Sequence, residues 1–310
     1  MTATPPRLQG IFSPVLTPFG ADYQPDAQRF VRHCRWLLDQ DVGLAVFGTN
    51  SEANSLSVAE RQRLLDALLE AGLPPERMMP GTGACALPDA IELTRRAVQA
   101  GCGGVLMLPP FYYKGVSDEG LFRAFAAVID AVADERLRIY LYHIPPVSGV
   151  PIPLSLIERL RKSFGNTIAG VKDSGGDWKH TSAMLERFQP QGFDVFAGSE
   201  NFLLANMRGG GAGCITATGN VNPSAIVHLY KTWRQADADE QQKKLDAQRA
   251  AFAQFPMIPA MKAAIALKTG RKDWAHVRPP LVDLDAQQQQ ALAQSLDAVG
   301  FVMPNAQQLA

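Results

Sequence analysis

The sequence has no excess of charge of either sign and no long hydrophobic run. Its 310 residues include 30 basic and 30 acidic side chains, whereas nucleic acids and anionic membranes are bound through basic surfaces. No run of about 18 consecutive apolar residues occurs, so no transmembrane helix is predicted. The opening residues, MTATPPRLQG, lack the basic and then apolar pattern of an export signal. We therefore expect a cytoplasmic protein that binds neither nucleic acid nor a membrane.

Cysteine and histidine are scarce, and neither occurs in a metal-binding pattern. The 4 cysteines include no C-x-x-C pair, and the 5 histidines have no H-x-H or H-E-x-x-H spacing, so we expect no metal and no other cofactor. His143 is interpreted as a packed, hydrogen-bonded side chain. A G-x-S-x-G elbow is also absent, which disfavours a serine hydrolase. The stretch RGGGAG at 208–213 is either a phosphate-binding turn or a tight turn from a helix into a strand, and the latter needs no ligand.

Short apolar runs alternate with amphipathic segments along most of the chain. Eight of these runs have the near-continuous hydrophobicity of parallel strands that are buried on both faces. They cover residues 10–19, 43–50, 77–84, 103–111, 138–145, 167–174, 194–199 and 211–218. Eight strands that are separated by helices predict an α/β fold of the TIM-barrel type, the (β/α)8 barrel. A doubly wound sheet is the alternative, but VLTPFGADYQ is not the glycine-rich phosphate turn that such a fold has after its first strand.

Helix signals fill the segments between the apolar runs. The sequence SVAE at 57–60 predicts a capping box that begins a helix, and Gly72 marks its exit. From Pro223 onward the strand patterns stop, and segments such as PSAIVHLYKTWRQ are typical of helices. We therefore predict a barrel over residues 1–222 and a C-terminal helical extension over residues 223–310.

A single lysine, Lys172, lies near the end of the sixth apolar run, in GVKDSGGDW. Catalytic residues of such barrels lie at the carboxyl ends of the strands. Because side chains alternate along a strand, Lys172 shares a face with Gly170 and Ser174, while Asp173 points the other way. A buried amine loses its proton more readily and can attack a ketone to form a Schiff base, and a neighbouring phenol such as Tyr142 can move the protons. The alternative is that Lys172 extends to solvent at the rim of the barrel.

Six motifs in order resemble those of the dihydrodipicolinate synthase/N-acetylneuraminate lyase family, which contains the pyruvate-handling class I aldolases. GTNSE (48–52) resembles the family turn G-T/S-x-G-E, YHIP (142–145) resembles Y-N-x-P, and GVKDSGGD (170–177) resembles G-x-K-D/E. FYYKGVSDEGL (111–121), AGSE (197–200) and GCITATGNV (213–221) also match in order and spacing. The resemblance covers nearly the whole chain.

The resemblance implies a role for each matching residue. Lys172 would form the Schiff base, Tyr142 would be the acid/base phenol, and Thr49 would pass protons between Tyr142 and Tyr113 of a neighbouring subunit. Thr49 and Asn50 would hold the carboxylate of a 2-keto acid such as pyruvate. Gly198 and Ile215 would line the pocket, with their backbone oxygens facing the substrate. Ser174 is a further substrate-binding candidate because it lies on the same face of the strand as Lys172. The family further implies a homotetramer that is built as a dimer of dimers.

Two positions depart from the family pattern. Ser51 stands where the family has a glycine, which is expected to alter the geometry of the turn. Val147 stands where the synthases have an arginine for the second substrate's carboxylate. KDSGGD (172–177) together with Asn50 resembles more closely the branches that contain 4-hydroxy-2-oxoglutarate aldolases and sugar-acid aldolases or dehydratases. We therefore expect cleavage or dehydration of a hydroxylated 2-keto acid.

Three other functions stay open at this point. The first is a dihydrodipicolinate synthase that condenses pyruvate with aspartate semialdehyde, with the positive charge supplied by Lys114 or by an arginine from elsewhere. The second is a non-catalytic barrel that only binds a keto acid. The third is a barrel enzyme that anchors a phosphate at RGGGAG.

Overall fold

The computed structural model describes residues 7–310, and these residues form two compact units. The first unit comprises residues 7–10 and 74–215, and the second comprises residues 11–73 and 216–310. The strands are β1 (Gly10–Ser13), β2 (Val42–Leu44), β3 (Val105–Met107), β4 (Ile139–His143), β5 (Ile168–Asp173), β6 (Asp194–Ala197) and β7 (Gly213–Ile215). The helices are α1 (Ala27–Asp39), α2 (Val58–Glu70), α3 (Leu87–Gln99), α4 (Asp118–Val132), α5 (Pro145–Ser148), α6 (Leu154–Phe164), α7 (Trp178–Phe188), α8 (Leu203–Arg208), α9 (Pro223–Thr232), α10 (Ala238–Ala253), α11 (Met257–Thr269) and α12 (Ala286–Ala298).

Parallel strands form the centre of the first unit. They are hydrogen-bonded in the order β7-β6-β5-β4-β3, and each strand from β3 to β6 is followed by a helix before the next strand begins. Every residue of β4 and β5 is buried, as the continuous hydrophobicity of these runs predicts. Side chains on one face of the strands, including Leu141, Val171 and Val195, pack with apolar residues of α4, α6 and α7. The opposite face therefore remains for Tyr142 and Lys172.

The run predicted as a strand at 77–84 pairs with β3 only through an isolated bridge. Gly81 is bridged to Leu106, Leu106 N donates a 2.8 Å hydrogen bond to Pro80 O, and Thr82 N donates a 3.0 Å hydrogen bond to Leu106 O. Pro80 has no N–H to contribute to a ladder, which interrupts regular pairing at this point. The segment thus lies beside β3 in the predicted position without forming a continuous strand.

The second unit contains the two parallel strand segments 11–13 and 42–44, with the register Ile11 to Val42. Helix α2 begins with the predicted capping box, because Ser57 Oγ accepts from Glu60 N and Glu60 Oε2 accepts from Ser57 N. After Pro223 the structure, which describes all of this segment, contains helices α9 to α12 and no strand. The helical character of this segment is confirmed, whereas a domain boundary at residue 223 stays a prediction.

Among the described residues, no single helix is long and apolar enough to cross a membrane. Helices α10 and α11 reach the required length and composition only as a pair, and that pair is bent by 103°.

Candidate active site

The central feature of the site is a buried contact between Lys172 on β5 and Tyr142 on β4. The two strands are parallel neighbours, and their register places Tyr142 directly beside Lys172. Lys172 Nζ lies 3.1 Å from the Tyr142 hydroxyl and 4.2 Å from the centre of the same ring. Each residue is only 2% exposed. Lys172 therefore does not extend to solvent, and the structure brings together the two residues that the sequence pairs as amine and phenol.

Backbone hydrogen bonds connect the ends of β4, β5 and β6 around this pair. Ser174 N donates to His143 O at 2.7 Å, and Gly198 N donates to Asp173 O at 2.7 Å. A methyl group at Gly198 would lie 2.0 Å from Ser174 Oγ, so this position requires glycine. The predicted substrate-binding residues Ser174 and Gly198 thus lie next to each other at the carboxyl ends of adjacent strands.

Asp173 points away from Lys172, as the alternation predicts, into a cluster with His143 and His180. Its carboxylate accepts from Gly175 N at 2.8 Å and from Thr181 Oγ1 at 2.7 Å, and it lies 3.3 Å from His180 Nδ1. Burial alone would raise the pKa of Asp173, but the hydrogen bonds from His180, Gly175 and Thr181 outweigh burial and lower it. The same contact with Asp173 raises the pKa of His180.

His143 is buried and hydrogen-bonded, as its sequence context predicts. Burial lowers its pKa to about 4, and its Nδ1 atom lies 3.0 Å from Ile152 N, which donates to it. One ligand atom from each of His143, Asp173 and His180 lies within 4.8 Å of the others, a juxtaposition that spacing along the chain does not reveal. However, a neutral His143 that accepts at Nδ1 carries its proton on Nε2, the atom that would have to bind an ion. The cluster therefore fits a hydrogen-bonded buried carboxylate better than a metal site.

Thr49 and Asn50 lie in the second unit, in a 3-10 turn over Thr49–Ser51 that follows β2. Ser51 is buried, and its hydroxyl accepts from Gly48 N at 3.1 Å, while its carbonyl accepts from Thr17 Oγ1 at 2.7 Å. Positive φ angles occur at Phe47 and Glu52 but not at Ser51, so serine fits this turn without strain. The substitution at Ser51 therefore adds a hydrogen bond to the turn.

Tyr113 lies on the surface of the chain and is 72% exposed. Its ring packs edge-on against Tyr112, with the ring centres 5.2 Å apart. Lys114 Nζ donates to the carbonyl oxygens of Phe111 and Ser148, the latter at 2.6 Å. The amine of Lys114 thus links the loop after β3 to helix α5.

The remaining predicted positions have simple structural settings. Ile215 is fully buried at the end of β7. The RGGGAG stretch forms the predicted turn from α8 into β7, with Gly210 at φ +84°. Asn206 Nδ2 donates across this turn to Val195 O at 3.0 Å and to Gly213 O at 2.8 Å.

Comparison with known proteins identifies this arrangement. Residues 7–299 match the model of the dihydrodipicolinate synthetase family. The chain is 35% identical to an uncharacterized DapA-like lyase of Chloroflexus aurantiacus, over 94% of this chain and 97% of that protein. It is 32% identical to the putative 2-dehydro-3-deoxy-D-gluconate aldolase YagE of Escherichia coli, over 89% of this chain and 92% of that protein.

Solved structures give the same result for the fold. The crystal structure of dihydrodipicolinate synthase from Agrobacterium tumefaciens superposes with a TM-score of 0.86 at 30% identity, covering 94% of this chain and 99% of that one. The structure of YagE in complex with pyruvate gives the same TM-score and identity, covering 95% and 99%. The predicted (β/α)8 barrel is thereby confirmed. The chain belongs to the dihydrodipicolinate synthetase family of class I, pyruvate-dependent lyases.

Proposed function

We propose that the protein is a Schiff-base lyase that cleaves or dehydrates a hydroxylated 2-keto acid, such as 4-hydroxy-2-oxoglutarate or a deoxy sugar acid. The observation that carries this proposal is the 3.1 Å contact between the buried Lys172 Nζ and the Tyr142 hydroxyl. A protein that only bound a keto acid would need donors for a carboxylate, but it would not need a buried nucleophilic amine. The lysine and tyrosine therefore favour catalysis over simple binding.

In the proposed reaction, the neutral amine of Lys172 attacks the C2 carbonyl of the keto acid, and loss of water gives an iminium ion. The iminium then accepts the electron pair of the C3–C4 bond as the C4 hydroxyl loses its proton and an aldehyde leaves. Protonation of the resulting enamine at C3 and addition of water release pyruvate and the free amine. In a dehydratase the same electron sink instead assists loss of a hydroxyl group as water.

Tyr142 is proposed as the acid and base of these steps. Its hydroxyl lies within hydrogen-bonding distance of Lys172 Nζ, which is the distance that direct proton transfer requires. Thr49 and Asn50 are proposed to bind the substrate carboxylate, with Thr49 also passing protons from Tyr142. Ser174, Gly198 and Ile215 are proposed to complete the substrate-binding positions.

The chain is further proposed to act in the cytoplasm as a homotetramer, a dimer of dimers in which Tyr113 reaches the proton path of a neighbouring subunit. The support is the 72% exposure of Tyr113 and the 73% exposure of Tyr112 in the single chain, since large aromatic side chains are enriched at interfaces. Light scattering of the purified protein would test the assembly, because the proposal requires four times the 33.6 kDa chain mass.

The choice of branch rests on residues 147 and 114, because overall identity is nearly the same to YagE and to the Agrobacterium synthase. Val147 is 64% exposed and offers no charge. Lys114 directs two of its three N–H donors to the carbonyl oxygens of Phe111 and Ser148, which leaves a single donor for a carboxylate. Neither residue can form the two parallel hydrogen bonds that an arginine makes with a second carboxylate.

A panel of hydroxylated 2-keto acids, assayed by release of pyruvate, tests this proposal. The same enzyme is assayed for condensation of pyruvate with aspartate semialdehyde. Because a hydrogen bond to a charged group contributes about 1.5–3 kcal/mol, we expect kcat/KM for condensation to be at least about 10- to 100-fold below that for the best hydroxy-keto acid. Condensation that exceeds every cleavage or dehydration would instead assign the protein to the synthase branch.

A further inference from the structure

A second buried lysine, Lys262 of α11, forms an ion pair with Glu52 inside the second unit. The Nζ atom of Lys262 lies 2.5 Å from Glu52 Oε1, and the two side chains are 0% and 1% exposed. Lys262 Nζ also donates to His276 O at 2.8 Å, and the other carboxylate oxygen of Glu52 accepts from Arg278 N at 2.9 Å. Both oxygens of this buried carboxylate therefore have a partner from the C-terminal part of the chain.

Glu52 directly follows the turn that contains Thr49 and Asn50. It has a left-handed conformation, with φ +56°, and both ends the turn over Thr49–Ser51 and begins the next one over Ala53–Ser55. Its amide donates to Thr49 O at 3.1 Å. The buried side chain of Glu52 is therefore attached to the backbone at the point where the Thr49–Ser51 turn ends.

The turn is also held from its other side, again within the second unit. Thr17 Oγ1 donates to Ser51 O at 2.7 Å. Phe19 is fully buried, and its ring centre lies 4.5 Å from Lys262 Nζ and 4.7 Å from the guanidinium carbon of Arg278. The segment after β1 thus contacts the turn, the Lys262 ammonium that is paired with Glu52, and the side chain of Arg278, whose backbone N–H donates to Glu52.

Stability alone does not explain a buried ion pair at this position. Removing two charges from water has a desolvation cost, and apolar residues of similar volume usually stabilise a protein equally well or better. The ion pair instead fixes the orientation of the Glu52 carboxylate, because each of its two oxygens accepts a hydrogen bond from a different donor. An apolar contact would not fix the orientation of the side chain at residue 52 in this way.

We propose that Lys262 and Glu52 are positioning residues that hold the Thr49–Asn50 turn in the geometry that receives the keto-acid carboxylate. This inference rests on the proposed function, in which that turn binds the substrate. Neither residue is assigned contact with the substrate or with the reacting atoms. Their expected effect is therefore on the concentration of pyruvate that the enzyme requires, and not on the capacity of Lys172 to react.

The experiment uses borohydride to trap the imine on Lys172 over a range of pyruvate concentrations, with peptide mass spectrometry as the readout and thermal melting in parallel. The proteins are the wild type, Lys262→Met, and the double variant Glu52→Gln/Lys262→Met. The double variant leaves no unpaired buried charge, so it is expected to melt nearer to the wild type than Lys262→Met does. Lys268→Met, on the same helix with a partly exposed side chain, is the matched control.

We expect the pyruvate concentration for half-maximal trapping to rise by about 10-fold in both the single and the double variant, since small displacements of a binding group have effects of this size. The maximal yield on Lys172 should stay unchanged, and Lys268→Met should behave as the wild type. If the double variant needs the same pyruvate concentration as the wild type for half-maximal trapping, the positioning role is overturned. This holds even if Lys262→Met melts at a lower temperature. Absence of any adduct on Lys172 in the wild type would instead contradict the proposed function, and with it this inference.

Discussion

The hydroxyl of Tyr142 and the amine of Lys172 lie 3.1 Å apart on adjacent parallel strands, and both groups are shielded from solvent. The contact follows from register, because Tyr142 of β4 is paired directly with Lys172 of β5 and both residues point to the same face. A proton can pass between groups at this separation without rearrangement of the backbone. The pair therefore has the geometry that the proposed proton transfer requires.

Replacement of Tyr142 by phenylalanine tests the role of the phenol. The variant keeps the ring that packs beside Lys172 but loses the hydroxyl, so turnover should fall by about 100- to 10,000-fold, the usual contribution of a general acid or base. Pyruvate binding should change far less, because the carboxylate is assigned to Thr49 and Asn50. Steady-state kinetics and a pyruvate titration separate the two effects. Turnover near that of the wild type would show that another group moves the protons.

Replacement of Gly198 by alanine tests the close packing of the strand ends. The added methyl group would lie 2.0 Å from Ser174 Oγ and 2.6 Å from Asp173 O, so the end of β5 must shift. We expect a loss of about 1–3 kcal/mol in the free energy of unfolding, the range for overpacking. Gly120→Ala in α4, where such a methyl group would lie 3.6 Å from Ser117 Oγ, is the control and should be neutral or stabilising by up to about 1 kcal/mol. Equal denaturation midpoints for the two variants would argue against the packing described at Gly198.

The pH dependence of stability should contain a contribution from Glu60. Its carboxylate is bound by both terminal nitrogens of Arg278, at 2.8 and 3.1 Å, and this contact lowers the pKa of Glu60 from 4.5 to about 2. When folding lowers the pKa of a carboxyl group, the ionised group stabilises the folded state at pH values above its pKa in the unfolded chain. This stabilisation is lost as the pH falls toward the pKa of the group in the folded protein.

Denaturant titrations of the wild type and Glu60→Gln at several pH values measure this contribution. Above pH 4.5 we expect the wild type to be more stable by about 2 kcal/mol, as for a hydrogen bond to a charged group. The difference should narrow below pH 4.5 and close near pH 2. A difference that does not change with pH would mean that the charge of Glu60 is not what stabilises the contact.

Much of the candidate active site in the first unit could be predicted from sequence because strand geometry is regular. Alternation along β5 places Lys172 and Asp173 on opposite faces, and the carboxyl ends of parallel strands meet at one edge. The buried contact of Lys172 with Tyr142 follows from these two rules once the strands are identified. The capping box at Ser57 and Glu60 is equally local, and the structure contains it as predicted.

Other features depend on contacts that no local pattern marks. Lys262 and Glu52 are 210 residues apart, and a lysine within a mostly apolar helix gives no indication of its partner. The cluster of His143, Asp173 and His180 forms because α7 returns over the end of β5. The reduced pairing at residues 77–84 depends on Pro80, whose effect on a ladder is apparent only when the neighbouring strand is known.

The most direct test of the whole account is reduction of the enzyme with borohydride in the presence of pyruvate, followed by peptide mapping. The account predicts a reduced pyruvate adduct on Lys172, and its complete loss in Lys172→Ala. Lys262 serves as an internal comparison, since it is a buried lysine that is paired with Glu52 and should carry no adduct. An adduct on a lysine other than Lys172 would contradict the assignment of Lys172, and no adduct at all would contradict the Schiff-base mechanism.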